Sequence, residues 1–123
     1  MQKSERFYTT DLFPKAADEN NCVCIRFKDT GGRSFNPVPF DNVFVYPGDN
    51  WKAVFTETKI EKGKLKAHQL KFAIFCAKKK LKYCVIRIYP LYFTLSTINI
   101  EGQECKKDGY STVSQMIKAI KAL

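Results

Sequence analysis

The chain has a single histidine, His68, and no apolar run long enough to cross a bilayer. The first scarcity removes most histidine-based catalysis and any histidine-rich metal set. The second excludes a transmembrane helix, which needs about 20 apolar residues. The longest mostly apolar stretch, residues 83–100, is interrupted by Arg87 and Pro90. Residues 1–20 mix acids, bases and aromatics and lack the basic-then-apolar order of a secretory leader. The chain is therefore expected inside the cell, cytoplasmic or nuclear, neither secreted nor bound to a membrane. An even set of cysteines is also missing. The five present, Cys22, Cys24, Cys76, Cys84 and Cys105, mostly sit inside apolar runs and read as reduced core thiols. Cys22-Val23-Cys24 lacks the spacing of a zinc knuckle and has no matching second pair, so no metal ligand is assigned. No glycine-flanked serine marks a nucleophile, and these patterns assign no catalytic residue and no cofactor.

What the sequence has in excess is positive charge. Twenty-one lysines and arginines against 12 acids leave +9, and the excess is not spread evenly. Residues 1–50 hold six bases and seven acids, and residues 90–123 hold four bases and three acids. Residues 51–89 hold eleven bases, Lys52, Lys59, Lys62, Lys64, Lys66, Lys71, Lys78, Lys79, Lys80, Lys82 and Arg87, against only Glu57 and Glu61. Lysine is a hydrated point charge suited to phosphate, whereas reading base edges favours the planar fork of arginine. A surface that serves only solubility intersperses both signs, and this segment does not. Aromatic residues lie among the lysines, and Trp51 and Tyr83, each beside a lysine at a turn, are expected at the surface where they can stack on bases. The leading expectation is a non-enzymatic nucleic-acid-binding domain, for single strands or with low sequence specificity, whose surface is those eleven bases with Trp51 and Tyr83. The alternative is a protein-interaction module, a small subunit, adaptor or inhibitor, whose basic face meets an acidic protein partner.

A chain of 123 residues that is 45% hydrophobic can bury a core without staples, so one α+β domain is expected over residues 1–123. Residues 1–20 read as an arm or short helix, weakened by Thr9, Thr10 and Pro14. Residues 21–100 read as an antiparallel sheet of five to six strands. Alternation marks strands at 22–28, 42–46, 51–60, 83–89 and 92–100, and paired glycines mark a turn at 29–33. Residues 70–77 fit both periods, and the alternation of Leu70, Phe72, Ile74 and Cys76 favours a strand paired with 83–89 across the lysine-rich turn 78–82. Residues 111–123 read as a helix packed on one sheet face, capped by Ser111 or Thr112 with Gln115 completing a capping box. This architecture resembles the sheet-plus-C-terminal-helix single-strand-binding coactivators. That likeness implies a homodimer as one form of assembly and does not fix function.

A second resemblance lies in two short motifs. Pro47-Gly48-Asp49 followed by Glu57-Thr58-Lys59 places an aspartate at a strand start and Glu-x-Lys on the next strand, which resembles the pattern of the PD-(D/E)xK nucleases. The resemblance implies two carboxylates that bind a divalent ion, a lysine that positions or activates water at phosphate, and a mixed sheet flanked by helices. Gly48 interrupts the proline–aspartate pair, and the helix content expected here is low for that architecture. On the sequence alone Asp49 reads as a turn residue and Glu57 as a counter-charge for nearby lysines, and a metal-dependent nuclease is the minor alternative.

Overall fold

The computed structural model describes residues 3–27 and 38–123, so the turn at 29–33 and the end of the strand at 22–28 lie outside the described residues. Six strands, β1 (Val23–Arg26), β2 (Asn42–Tyr46), β3 (Lys52–Ile60), β4 (Tyr83–Ile88), β5 (Phe93–Ile98) and β6 (Glu104–Tyr110), form one sheet in sequence order. β1 to β3 form an antiparallel meander, and β4 to β6 form another. The two meanders meet along a parallel pair, β3 and β4. The fold is α+β, and its sheet is mixed at the centre where a wholly antiparallel one was expected.

Parallel neighbours need a long crossover, and α2 (Ala67–Lys79) supplies it. The strand expected at 70–77 is therefore a helix. Its alternating apolar residues mislead because Gln69, Ala73 and Cys76, at helical spacing, are the ones that become buried. Ile74 is the sole β-branched residue in the segment, whereas alanine, leucine, lysine and glutamine favour a helix. The place beside β4 is taken by β3, with Phe55 opposite Tyr83. α2 ends at Lys80, which adopts a left-handed conformation as C-cap.

At the N-terminus a π-helical stretch, Phe7–Leu12, runs into α1 (Phe13–Asp18), where Pro14 occupies a first-turn position that needs no intrahelical donor. α3 (Val113–Lys121) has the expected cap. The Gln115 amide donates to Thr112 Oγ1 at 3.1 Å, and the Thr112 amide donates to Gln115 Oε1 at 3.3 Å. Such a cap stabilises a helix by about 1 kcal/mol.

Helices cover both faces of the sheet. α1 and α3 bury Phe13, Phe44, Ile86, Leu95, Met116, Ile117 and Ile120 on one side, and α2 closes a smaller cluster of Ala73, Cys76, Tyr83, Val85 and Ile98 on the other. β1 shows its cysteines to the core. Cys22 and Cys24 are buried against α1, while Val23 and Ile25 are half exposed. Burial pushes the thiols of Cys24 and Cys84 up to about 12 and that of Cys76 to about 11, as expected of reduced core cysteines; Cys105 is exposed. Among the described residues no helix is long and apolar enough to cross a membrane.

Candidate active site

The β2–β3 hairpin brings together two acids that lie far apart in sequence. Its register pairs Asn42 with Thr56 and Tyr46 with Lys52, so Asp41 stands beside Glu57 at the open end. Asp41 is held there from both sides. Its amide donates to Thr56 O at 2.9 Å, its Oδ2 accepts from the Thr58 amide at 2.8 Å, and its carbonyl accepts from Phe27 N and Arg26 Nη1 at 2.9 Å. Arg26 Nη1 also lies 3.4 Å from Asp41 Oδ1, and it donates to the Phe27 carbonyl. Side chains alternate along a strand, so Glu57 and Lys59 share one face of β3, on the side of α2.

These groups line a polar cavity of about 340 Å³, together with Glu5 from the N-terminal segment, Arg26, and Lys66, His68 and Gln69 from the start of α2. Glu57 and Lys59 are 2% and 8% exposed, and Lys59 Nζ lies 3.6 Å from Glu57 Oε1. At that distance and an effective dielectric of about 20 the attraction is roughly 4–5 kcal/mol, and removing a carboxylate from water costs about as much. Asp41 tips this near-balance: burial, the largest cause, together with the Asp41 charge and a side-chain hydrogen bond to Asp41, pushes the Glu57 carboxyl up to about 8, with Lys59 opposing. Glu5 is raised for the same first reason and by Asp41, while Lys59 and Lys66 oppose. Gln69 is buried and uses Oε1 to accept the Lys66 amide at 2.8 Å, which fixes the first turn of α2 against the cavity.

Glu57 Oε2 and Arg26 Nε are buried without a hydrogen-bond partner among the described residues. With its carboxyl raised to about 8, Glu57 keeps its proton near neutrality and shares it with Asp41; once that proton is displaced both oxygens only accept, and a cation would satisfy them. Among the described residues, no three His, Cys, Asp or Glu side chains converge closely enough to hold a metal ion by themselves. Magnesium does not require such a cage, because it keeps several waters and takes one or two carboxylates with substrate phosphate oxygens. The all-oxygen pair of Asp41 and Glu57 fits a hard divalent cation of that kind.

The acid suggested by sequence, Asp49, is exposed in the β2–β3 turn. It lies eight residues from both Asp41 and Glu57, about 25 Å along the strands. The residue that sequence reasoning missed is Asp41, and a signal for it was present. A turn centred on Asp49 places equidistant residues opposite each other, and Asp41 and Glu57 are the equidistant acids.

The expected cationic surface divides. Lys59 lies inside the cavity and Lys66 at its wall, with Lys62 and Lys64 exposed on the connection between β3 and α2. Lys71 and Lys78 stand on the outer side of α2, with Lys79 and Lys80 at its far end, and Lys52 is exposed at the start of β3. Lys82 donates to the Leu123 carbonyl. Arg87 has a structural set of partners, both Glu104 carboxylate oxygens and the carbonyls of Glu61 and Gly63, all at 2.7 Å. Trp51 is 74% exposed as expected, whereas Tyr83 is 6% exposed, its ring edge-on to Phe72 under α2. A larger hollow of about 540 Å³ between the C-terminal ends of α2 and α3 has, among the described residues, Lys82 and Asp108 as its charged side chains.

The fold is thus a mixed sheet between helices, with buried Glu57 and Lys59 beside a half-buried Asp41 at the open end of a central hairpin. Comparison with protein-family models, with curated proteins and with solved structures found no match.

Proposed function

We propose that the chain is a metal-dependent phosphodiester hydrolase acting on nucleic acid, with Asp41, Glu57 and Lys59 at its centre. The observation that carries this reading is the hairpin register, which sets the carboxyl of Asp41 beside that of Glu57. The Glu57-Thr58-Lys59 half of the resemblance to the PD-(D/E)xK nucleases supports this reading, with Asp41 proposed in the place first given to Asp49, and the mixed sheet covered by helices on both faces agrees with it.

When bound by Asp41 and Glu57, a divalent cation supplies charge neutralisation at a phosphoryl oxygen and at the departing oxygen. Asp41 is held by β1 and β3 before substrate arrives, so little reorganisation is needed on binding. Lys59 Nζ orients the attacking water and donates to a non-bridging phosphoryl oxygen. The water oxygen forms the new bond to phosphorus and gives up a proton to solvent, and the ester oxygen leaves with the bonding pair and takes up a proton from solvent. The N–H groups that open α2 and the Lys66 ammonium present positive charge to the phosphate. Lys62 and Lys64 extend that attraction along the backbone of the substrate, which gives the lysine-rich segment its role and nucleic acid its place as the partner.

Incubating the protein with labelled single-stranded and double-stranded DNA and RNA, with Mg²⁺ or Mn²⁺ and with chelator, tests this reading. Cleavage that requires the cation is expected. Lys59→Met is expected to lower its rate by about 10²-fold with little change in substrate affinity, as for the loss of one preorganised donor. Absence of product with every substrate and both cations, from a folded sample, would overturn the proposal.

A further inference from the structure

The buried apolar face of α2 continues into a partly open flank, where Leu70 and Ile74 are half-buried against the inner cluster and Phe75 stacks on Phe72. Ala67, Leu70, Lys71, Ile74, Phe75 and Lys78 follow the i, i+3, i+4 spacing of one helix face and line a shallow hollow of about 430 Å³. Phe75 is 47% exposed. The β5–β6 turn closes one side of this stripe. Gly102, at φ +81°, brings its backbone so close that a Cβ there would lie 3.2 Å from Ile74 Cδ1, and Ile100 in the same turn is 59% exposed. Phe75 sits about 9 Å further along the helix axis than Gln69, away from the cavity of Asp41 and Glu57.

From this stripe we infer a docking groove for an acidic peptide segment that presents apolar side chains at helical spacing. Charge selects that occupant. α2 contains no aspartate or glutamate, and Lys71 and Lys78 line the hollow while Lys79 and Lys80 follow at its end; Glu101 in the neighbouring turn is the nearby exposed acid. A second copy of the chain is disfavoured, because pairing α2 with α2 about a two-fold axis sets lysine against lysine, at a cost of several kcal/mol. Nucleic acid would meet the lysines and one stacking face, Phe75, but would gain nothing from Leu70 and Ile74, whereas an apolar helix face uses all three. An amphipathic acidic helix satisfies both halves of the surface, laying apolar anchors on Leu70, Ile74 and Phe75 and carboxylates on the lysines.

The test uses a fluorescein-labelled acidic peptide with leucine and phenylalanine at i, i+3, i+4 and i+7, a scrambled peptide of the same composition, and a single-stranded oligonucleotide of equal charge. The ordered peptide is expected to bind the full chain with Kd on the order of 10 μM, and the scrambled one at least about tenfold more weakly. Phe75→Asp is expected to remove the difference while leaving the circular dichroism spectrum unchanged. Phe75→Leu, which keeps the apolar surface, should retain binding and guards against a folding defect in the first variant. Equal binding of the two peptides, no binding of either, or loss in Phe75→Asp of oligonucleotide binding alone would overturn the inference. None of these readouts depends on cleavage, so the groove and the cavity fail or stand separately.

Discussion

Replacing Glu57 by glutamine is expected to stabilise the metal-free protein and to abolish its cation-dependent cleavage. The first effect follows from the proton. The ordinary carboxyl value is 4.5 and the folded value is about 8. Between those values the folded state holds a proton that the unfolded chain has released, so stability falls as pH rises from about 4.5 to about 8 and then levels. At pH 7 the penalty is on the order of 3 kcal/mol, taken from the interval between the ordinary value of 4.5 and pH 7 at about 1.4 kcal/mol per unit. Glutamine keeps the shape and removes the ionisation, and after the cost of burying its amide a net gain on the order of 1–2 kcal/mol remains. Denaturant melts in chelator at pH 5 and pH 7.5 check the sign. The two proteins should nearly coincide at the acidic pH, and the variant should be the more stable at the higher one. Cleavage should fall by roughly 10³-fold or more, since the neutral amide removes several kcal/mol of cation-mediated stabilisation. A variant less stable than the parent at pH 7.5, or one that still cleaves, would contradict the role given to Glu57.

Asp41→Asn is expected to reduce cleavage by a similar factor, roughly 10³-fold, whereas Asp49→Asn should leave it within about twofold. The contrast is large because the two aspartates, close in sequence, occupy opposite ends of the hairpin. Asp41 is fixed by Thr58 N and Arg26, and its charge helps to hold the Glu57 proton; Asp49 faces solvent. The asparagine side chain keeps an oxygen that accepts from the Thr58 amide and loses the charge, so the variant should fold normally. Single-turnover cleavage at saturating cation separates the two sites, and a dependence on Asp49 with none on Asp41 would refute the register-based assignment.

Much of the local structure was legible in the chain because it depends on neighbours in sequence. β2 falls where the β-rich run 42–46 placed it, Trp51, Ala53 and Phe55 alternate with Val54, Thr56 and Thr58 as period two requires, and Thr112 caps α3 with Gln115. Glu57 and Lys59 follow the same alternation, which brings them to one side of β3. What sequence reasoning lost was set by distant contacts. Which face of β1 is buried depends on where α1 packs, and Cys24 won over the more hydrophobic Ile25. Leu70–Phe72–Ile74–Cys76 satisfies a strand period, and only the parallel seating of β3 against β4 required a helix there. Asp41 enters the site through pairing across sixteen residues, which a motif read at short spacing passes over. The lysines were countable in the sequence, but their division between the cavity mouth, the outer side of α2 and internal partners was not.

The cation site itself is best examined without reference to any substrate. Titration of Mn²⁺ into the protein, followed by loss of the free-ion paramagnetic resonance signal, reads it directly. One ion per chain is expected, bound more tightly as pH rises toward about 8 because binding displaces the Glu57 proton, by up to about tenfold per pH unit. Binding should be lost in Asp41→Asn and Glu57→Gln and kept in Asp49→Asn. Retention of Mn²⁺ by both of the first two variants, or its absence from the parent protein up to millimolar concentration, would contradict the account.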